Sequence, residues 1–418
     1  MLLTIPIMVW TAYSSSAGEW YAHRTIIGLV CAPIESLPEI SISDLFFAHE
    51  RGTWMSVYVL VLFESNLIAP LIAGWFNDAF GWRWTMFLGA FVAAAAFMIL
   101  FFGVEETMYI RNTVEGVEVR ADKGEEIPEK KGERTTTDTA GDDSSSNKQF
   151  TPATIHTIPR TYLQKLAPFT ALPGRPSNKQ MLNMTLRPLA IIFRFPNIAW
   201  AGFIYGINLS WYLVLNGTTS PILSGPPYNW SSALIGTVYV GPMIGAIFGC
   251  LWGGAIADRL ALYLARRNAG IREPEQRLWQ LALAGVFSAA GLVTWGVGAH
   301  YGVHWAGLVF GLGMLVFGLI VGGSVGISYA VDCFKGIAGE SMASVMVVRN
   351  TIGFGFSYAI TPWHEGMGLR DCFVTAGFVS LACMATFLGM IWKGKALRRW
   401  SAGAYWGYVG SSAFESAH

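Results

Sequence analysis

Residues 304–330 read HWAGLVFGLGMLVFGLIVGGSVGISYA, a run of 27 residues without one Asp, Glu, Lys or Arg. A helix of about 20 apolar residues crosses the hydrocarbon core of a bilayer, so this stretch can span a membrane with length to spare for tilting. Working outward, similar runs lie at about 25–43, 53–76, 84–103, 197–217, 232–256, 278–299, 342–363 and 371–392, with a shorter apolar opening at 1–17. The expectation is an all-α membrane protein with about ten transmembrane helices.

Composition agrees with that reading. Of the 418 residues, 53% are hydrophobic and 13% charged, whereas soluble domains carry about 25% charged residues. So little charge cannot cover the apolar surface of a soluble core. The 47 glycines and 17 tryptophans suit close helix packing in lipid and aromatic anchoring at the headgroups. Met1 to Ala17 has no charged n-region, so it does not read as a cleavable signal. Cys31, Cys250, Cys333, Cys372 and Cys383 are scattered singly, without CxxC pairs or neighbouring histidines, which points to neither a metal site nor a disulfide framework. No nucleophile with its base, metal-ligand set or phosphate loop stands out. An enzyme is not expected, nor a cofactor, a metal or a nucleic-acid partner.

Orientation follows from the basic residues, which gather in cytoplasmic loops. With the N-terminus inside, 24 of the 28 Lys and Arg fall on the cytoplasmic side. Without the long central loop the balance is still 11 against 2. Both termini are therefore expected in the cytoplasm, and the expected location is the plasma membrane. The chain divides into a partial N-terminal helical bundle (1–104), a central cytoplasmic loop (105–194), a C-terminal six-helix bundle (195–393) and a cytoplasmic tail (394–418). Residues 105–150 hold 12 acids and 7 bases and are too polar to order themselves. Residues 151–194 hold six bases and no acid, with apolar residues between them. That half can lie on the anionic leaflet or form a solvated linker. A weak internal repeat supports two related halves: Asp44, Phe46, Ser56 and Val57 recur at the same spacing as Asp332, Phe334, Ser344 and Val345. The sequons at Asn216 and Asn229 fall on the exterior side.

Five motifs, in order, carry a resemblance. His23-Arg24 through Gly28 leads into Glu35-Ser36-Leu37 and Asp44-Leu45-Phe46-Phe47. His49-Glu50-Arg51-Gly52 follows, then Asn66 to Gly74 with Gly81-Trp82-Arg83-Trp84. Next come Gly253-Gly254-x-x-Ala257-Asp258-Arg259 and Glu273-Pro274-Glu275-x-Arg277-Leu278-Trp279. The last is Arg349-Asn350-Thr351-Ile352-Gly353-Phe354-Gly355 with Pro362-Trp363. Together they resemble the major facilitator superfamily, and within it the fungal drug:proton antiporter-like branch with its organic-cation and polyamine permeases. The resemblance implies a two-bundle fold in which the ten spans correspond to helices three to twelve of twelve, the first two being absent. It further implies secondary transport by alternating access, by a monomer, of a small molecule. Nutrient uptake by proton symport is an alternative, and a non-transporting truncated membrane protein is another.

Candidate site residues follow from helical spacing. Arg24, Gly28, Glu35 and Glu39 fall within about 60° of one face at 3.6 residues per turn, and charge inside a membrane must face protein or water. Glu35 is the first choice for a proton-coupling carboxylate, with Arg24 tuning it and Glu39 and Glu64 as further candidates. Glu64 departs from the small residue usual in the resembling helix. Tyr205, Asn208 and Trp211, with Tyr239, Tyr329 and Asn350, are the expected substrate-cavity residues, since the resemblance places their helices around the central cavity. Acidic groups without an intramembrane lysine favour a cationic or neutral amphipathic substrate. By the same resemblance, Gly254, Asp258, Arg259 and Arg349 belong to a conformational switch, with Asp258 contacting the start of the helix near Glu340 and Ser341.

Overall fold

The computed structural model describes residues 2–45, 48–103, 178–268, 270 and 273–415. The polar segment expected at 105–150 and residues 151–177 lie outside them. The described residues are helical throughout, with no strand among them.

The first half comprises α1 (Thr4–Tyr13), α2 (Ala17–Cys31), α3 (Pro33–Leu45), α4 (Ala48–Phe80) and α5 (Trp82–Gly103). The second half begins with α6 (Asn178–Arg194) and α7 (Pro196–Ser224), followed by the short α8 (Ser232–Thr237) and α9 (Val240–Leu251). A π-helical segment, Trp252–Ile256, joins α9 to α10 (Ala257–Arg267). Then come α11 (Gln280–His300), α12 (Trp305–Cys333), α13 (Ala338–Met367) and α14 (Leu369–Glu415).

Seven helical stretches among the described residues are long and apolar enough to cross a membrane: Leu60–Phe80, Trp82–Gly103, Pro196–Ser224, Ser232–Arg267, Pro274–His300, Trp305–Cys333 and Leu369–Val409. They match seven of the ten expected spans. The other three differ for local reasons. The opening segment forms only the ten-residue α1. The span expected at 25–43 is divided at Ala32 into α2 and α3, because Pro33 has no N–H to donate to the turn before it, whereas Pro38 is accommodated inside α3. The span expected at 342–363 is a 30-residue helix, α13, diluted by polar residues such as Arg349 and Asn350.

The stretch that opened the sequence reading is α12, the central strut of the second half. Its Leu315, Leu319 and Val321 are buried in cores shared with α7, α11 and α14, and its Val316 and Ile320 in a core shared with α4 and α9. Close approach is made by small residues, as lipid gives helices no hydrophobic drive to associate. By contrast α5 leaves Phe91 67% and Ile99 70% exposed, the outer surface expected of a lipid-facing helix.

The two halves meet where α4 crosses α8. A Cβ on Gly74 would lie 2.5 Å from the Ser232 carbonyl oxygen and 2.9 Å from the Gly236 Cα, so the backbones touch. Beside this crossing the Trp75 indole donates to Thr237 Oγ1 at 3.2 Å, and Asn77 Nδ2 donates to Ser232 Oγ at 2.9 Å. Further along α4, Phe63 and Leu67 pack on Ala246, Val316 and Ile320.

The tail expected from residue 394 is the continuation of the last helix, since α14 runs unbroken to Glu415. Its Tyr405 and Tyr408 pack against the first core cluster, and the Gly336 amide donates to the Tyr405 hydroxyl at 3.1 Å.

Candidate functional site

Arg349 lies in the middle of α13, 6% exposed, where an ion in an apolar bundle must be held by neighbours. Its Nη1 donates to the Tyr205 hydroxyl on α7 at 3.1 Å, and the guanidinium carbon sits 5.0 Å from the Tyr205 ring centroid. Its Nε donates to Asn350 Oδ1 at 3.0 Å. A planar guanidinium suits this double use, hydrogen bond along its edge and attraction over its face. Three expected site residues, Tyr205, Arg349 and Asn350, are thus brought together although 144 positions separate the tyrosine from the arginine.

Other expected cavity residues sit in the packed interior of the second half. Asn208 is 1% exposed and donates to the Ile204 carbonyl at 2.8 Å and to Met384 Sδ at 3.1 Å. Trp211 is fully buried, its ring 5.1 Å from that of Phe356. Tyr329 is fully buried and accepts a hydrogen bond from Asn197 Nδ2 at 2.7 Å. Tyr239 differs: it is half-buried beside the crossing of the halves, and its hydroxyl donates to Asn216 Oδ1.

Glu64 shares that region. It is half-buried on α4, and its Oε1 is shielded from solvent without a hydrogen-bond partner among the described residues. The adjacent Phe63 packs on the cluster that also holds Tyr212, Tyr239 and Met243. A shielded carboxylate oxygen is costly to leave bare and can be satisfied by a proton or by a bound cation.

Arg24 is exposed on α2, its guanidinium 5.6 Å from the Trp20 ring centroid. Glu35 and Glu39 fall on α3, which follows α2 through Ala32, a residue in helical conformation whose N–H donates to the Gly28 carbonyl. The side chains of Glu35, Glu39 and Asp258 lie outside the described residues. Gly254 belongs to the π-helical segment and Arg259 is exposed on α10. At the start of α13, Glu340 is engaged by Arg187 of α6, at 3.3 Å.

In the sequence Glu275 stands only within a motif, and nothing marks Arg398. In the structure Arg398 Nη2 reaches both Glu275 oxygens at 2.8 Å, and Nε adds a third bond at 3.0 Å. Lys395 pairs with Glu273 at 2.5 Å, and Arg277 lies 3.9 Å from Asp332. The residue pattern of Glu273-Pro274-Glu275 was a usable signal, but its partners are more than a hundred positions away. His23 was likewise missed as an individual residue: it is 1% exposed between the rings of Trp10 and Trp20, with Nε2 unpartnered among the described residues. On the opposite end of the second half, burial raises Tyr228 above the usual phenol range, and its hydroxyl donates to the Val303 carbonyl at 2.5 Å.

Comparison with known proteins gives this architecture its family. An uncharacterized MFS-type transporter of Schizosaccharomyces pombe is 28% identical, over 96% of this chain and 72% of its own length. Protein HOL1 of Saccharomyces cerevisiae is 24% identical, over 94% of this chain and 73% of its own. The MFS transporter cpaT of Aspergillus oryzae is 26% identical, over 94% of this chain and 72% of its own. The family model described as Major Facilitator Superfamily matches residues 1–362. The chain, a multi-pass helical membrane protein whose relatives are transporters and not enzymes, belongs to the Major Facilitator Superfamily.

Proposed function

We propose that the protein is a proton-coupled transporter of cationic or neutral amphipathic small molecules, of the drug:proton antiporter-like branch. It works by rocking two bundles about a midplane cavity, as a monomer in the plasma membrane with both termini cytoplasmic. The observation that carries the reading is Glu64, whose shielded oxygen, unpartnered among the described residues, lies beside the crossing of the halves. A carboxylate there can exchange a proton for an organic cation. Glu35 remains the first candidate for the coupling acid, tuned by Arg24, because α3 continues the helix that carries Arg24. Tyr239 and Asn216 supply polar contacts near Glu64, and Arg349 with Tyr205 and Asn350 supplies the element that links α13 to α7. Gly254, in its π-helical segment, and Asp258 with Arg259 on α10 serve the conformational switch; such segments recur at functional sites.

The test is uptake of ethidium, a fluorescent organic cation, into proteoliposomes made acidic inside. The wild-type chain accumulates ethidium along the proton gradient. Glu35→Gln loses the response to the gradient but retains gradient-free exchange, since an amide keeps the size and hydrogen bonds of the acid but cannot ferry a proton. Glu64→Gln lowers ethidium uptake in both conditions. Accumulation by the wild type that ignores the gradient, or a Glu35→Gln chain that still follows it, overturns the coupling assignment.

A further inference from the structure

Helix α6 presents an apolar row that no described residue covers. Leu182, Leu186, Leu189 and Phe193 recur at intervals of four, three and four, within about 60° of one face, and are 60%, 49%, 44% and 84% exposed. The opposite face is already used. Ile191 on that side is fully buried, Arg187 bridges to Glu340, and the Pro188 carbonyl accepts from Ser344 Oγ at 2.9 Å. A helix docked by one face leaves the other for a different neighbour.

The charge on the helix says which neighbour. Residues 178–194 carry Lys179, Arg187 and Arg194 and no acid, and the basic excess extends over 151–194. The helix runs directly into the membrane-spanning α7 at Phe195, so its exposed row stands beside the start of a membrane span. Water would leave four large apolar side chains exposed in a line. Burying each such side chain is worth about 1.5 kcal/mol or more, and an amphipathic helix with a basic character takes that from the acyl boundary beneath anionic headgroups.

We propose that α6 is a lipid seat, with Leu182, Leu186, Leu189 and Phe193 immersed in the leaflet on the side of the central loop and its acid-free, basic sequence drawing anionic phospholipid to that leaflet. Through Arg187–Glu340 and Ser344–Pro188 the seat grips the first turns of α13, the helix that carries Arg349.

The test needs no transport assay, so its failure is separable from failure of the proposed function. The purified full chain is reconstituted with phosphatidylserine or phosphatidylcholine bearing a diazirine in the acyl chain, irradiated and mapped by mass spectrometry. Phe91 and Ile99 of α5 serve as the internal control. The expected result is labelling of α6 at the four apolar positions alongside the control, with the phosphatidylserine probe favoured on α6 and not on α5. Lys179→Gln lowers that preference by about fivefold, the equivalent of about 1 kcal/mol for one basic residue at an anionic surface. Labelled α5 with unlabelled α6 overturns the seat and assigns the row to water, to a protein partner or to a second copy. Equal labelling of α6 by both probes overturns the anionic preference.

Discussion

Arg398 holds both carboxylate oxygens of Glu275, at 2.8 Å each, across 123 positions of sequence. The glutamate is 5% exposed, and the pair ties the 3-10 turn Pro274–Trp279, before α11, to the second half of α14. Three bonds in a fork make this a charge pair with its geometry satisfied, unlike an exposed pair of long side chains.

Removing one partner therefore leaves a shielded charge alone. Arg398→Ala should destabilise the chain by about 3 kcal/mol, read as a lower unfolding temperature in detergent. Glu275→Gln placed in the same chain should restore part of the loss, because the orphaned charge is gone. Equal stability of the two single variants and the wild type would show that the pair contributes nothing net.

Gly74 and Gly389 should respond in opposite directions to the same methyl group. At Gly74 an added Cβ meets backbone of α8 at 2.5 Å, so Gly74→Ala forces the two halves apart and costs about 1 to 3 kcal/mol. At Gly389, inside α14, nothing lies within 4 Å, and Gly389→Ala should stabilise by up to about 1 kcal/mol through helix propensity. Thermal unfolding of the two variants side by side checks the sign.

Tyr205 contributes a hydrogen bond and a ring face to Arg349, and the two can be separated. Tyr205→Phe keeps the ring and should cost about 1 kcal/mol. Tyr205→Leu removes both and should cost clearly more, with a parallel fall in ethidium flux. Arg349→Lys keeps the charge but loses the fork, and flux should fall here too. Matching losses for Tyr205→Phe and Tyr205→Leu would leave the ring without a role.

The proposed orientation puts the segment 105–194 and the stretch from residue 394 to the C-terminus on the cytoplasmic side. Epitope tags inserted near residue 140 and after His418 should be protected from protease added to intact cells and cleaved after permeabilisation. Cleavage of either tag from outside reverses the orientation.

The seven apolar crossings were legible because length and hydrophobicity suffice to name a membrane helix, and α12 shows it best. The interruption at Ala32 was legible in Pro33, which has no N–H to give the turn before it. The meeting of Tyr205 with Arg349 was not legible as a contact, since it depends on α7 lying against α13, and each residue alone looked like an isolated polar group. Arg398 was hidden for another reason. A basic residue past an apolar run reads as a solvated tail, and only the continuation of α14 brings it back to Glu275. Glu64 was recognisable as an acid in an apolar helix, but not that α4 would be the helix meeting the other half.

The length of α14 carries a consequence for measurement. Its 47 residues, at 1.5 Å each, form a rod about 70 Å long, more than twice the thickness of the hydrocarbon layer, about 30 Å. A small change in the inclination of its membrane portion is magnified at the free end, as at the tip of a pointer, wherever the shaft stays straight. A tilt of about 5° would sweep the tip by about 6 Å over that length. A fluorophore near Glu415 paired with one near Asn178 would therefore register the turnover of single molecules as distance, with the protein itself serving as the gauge.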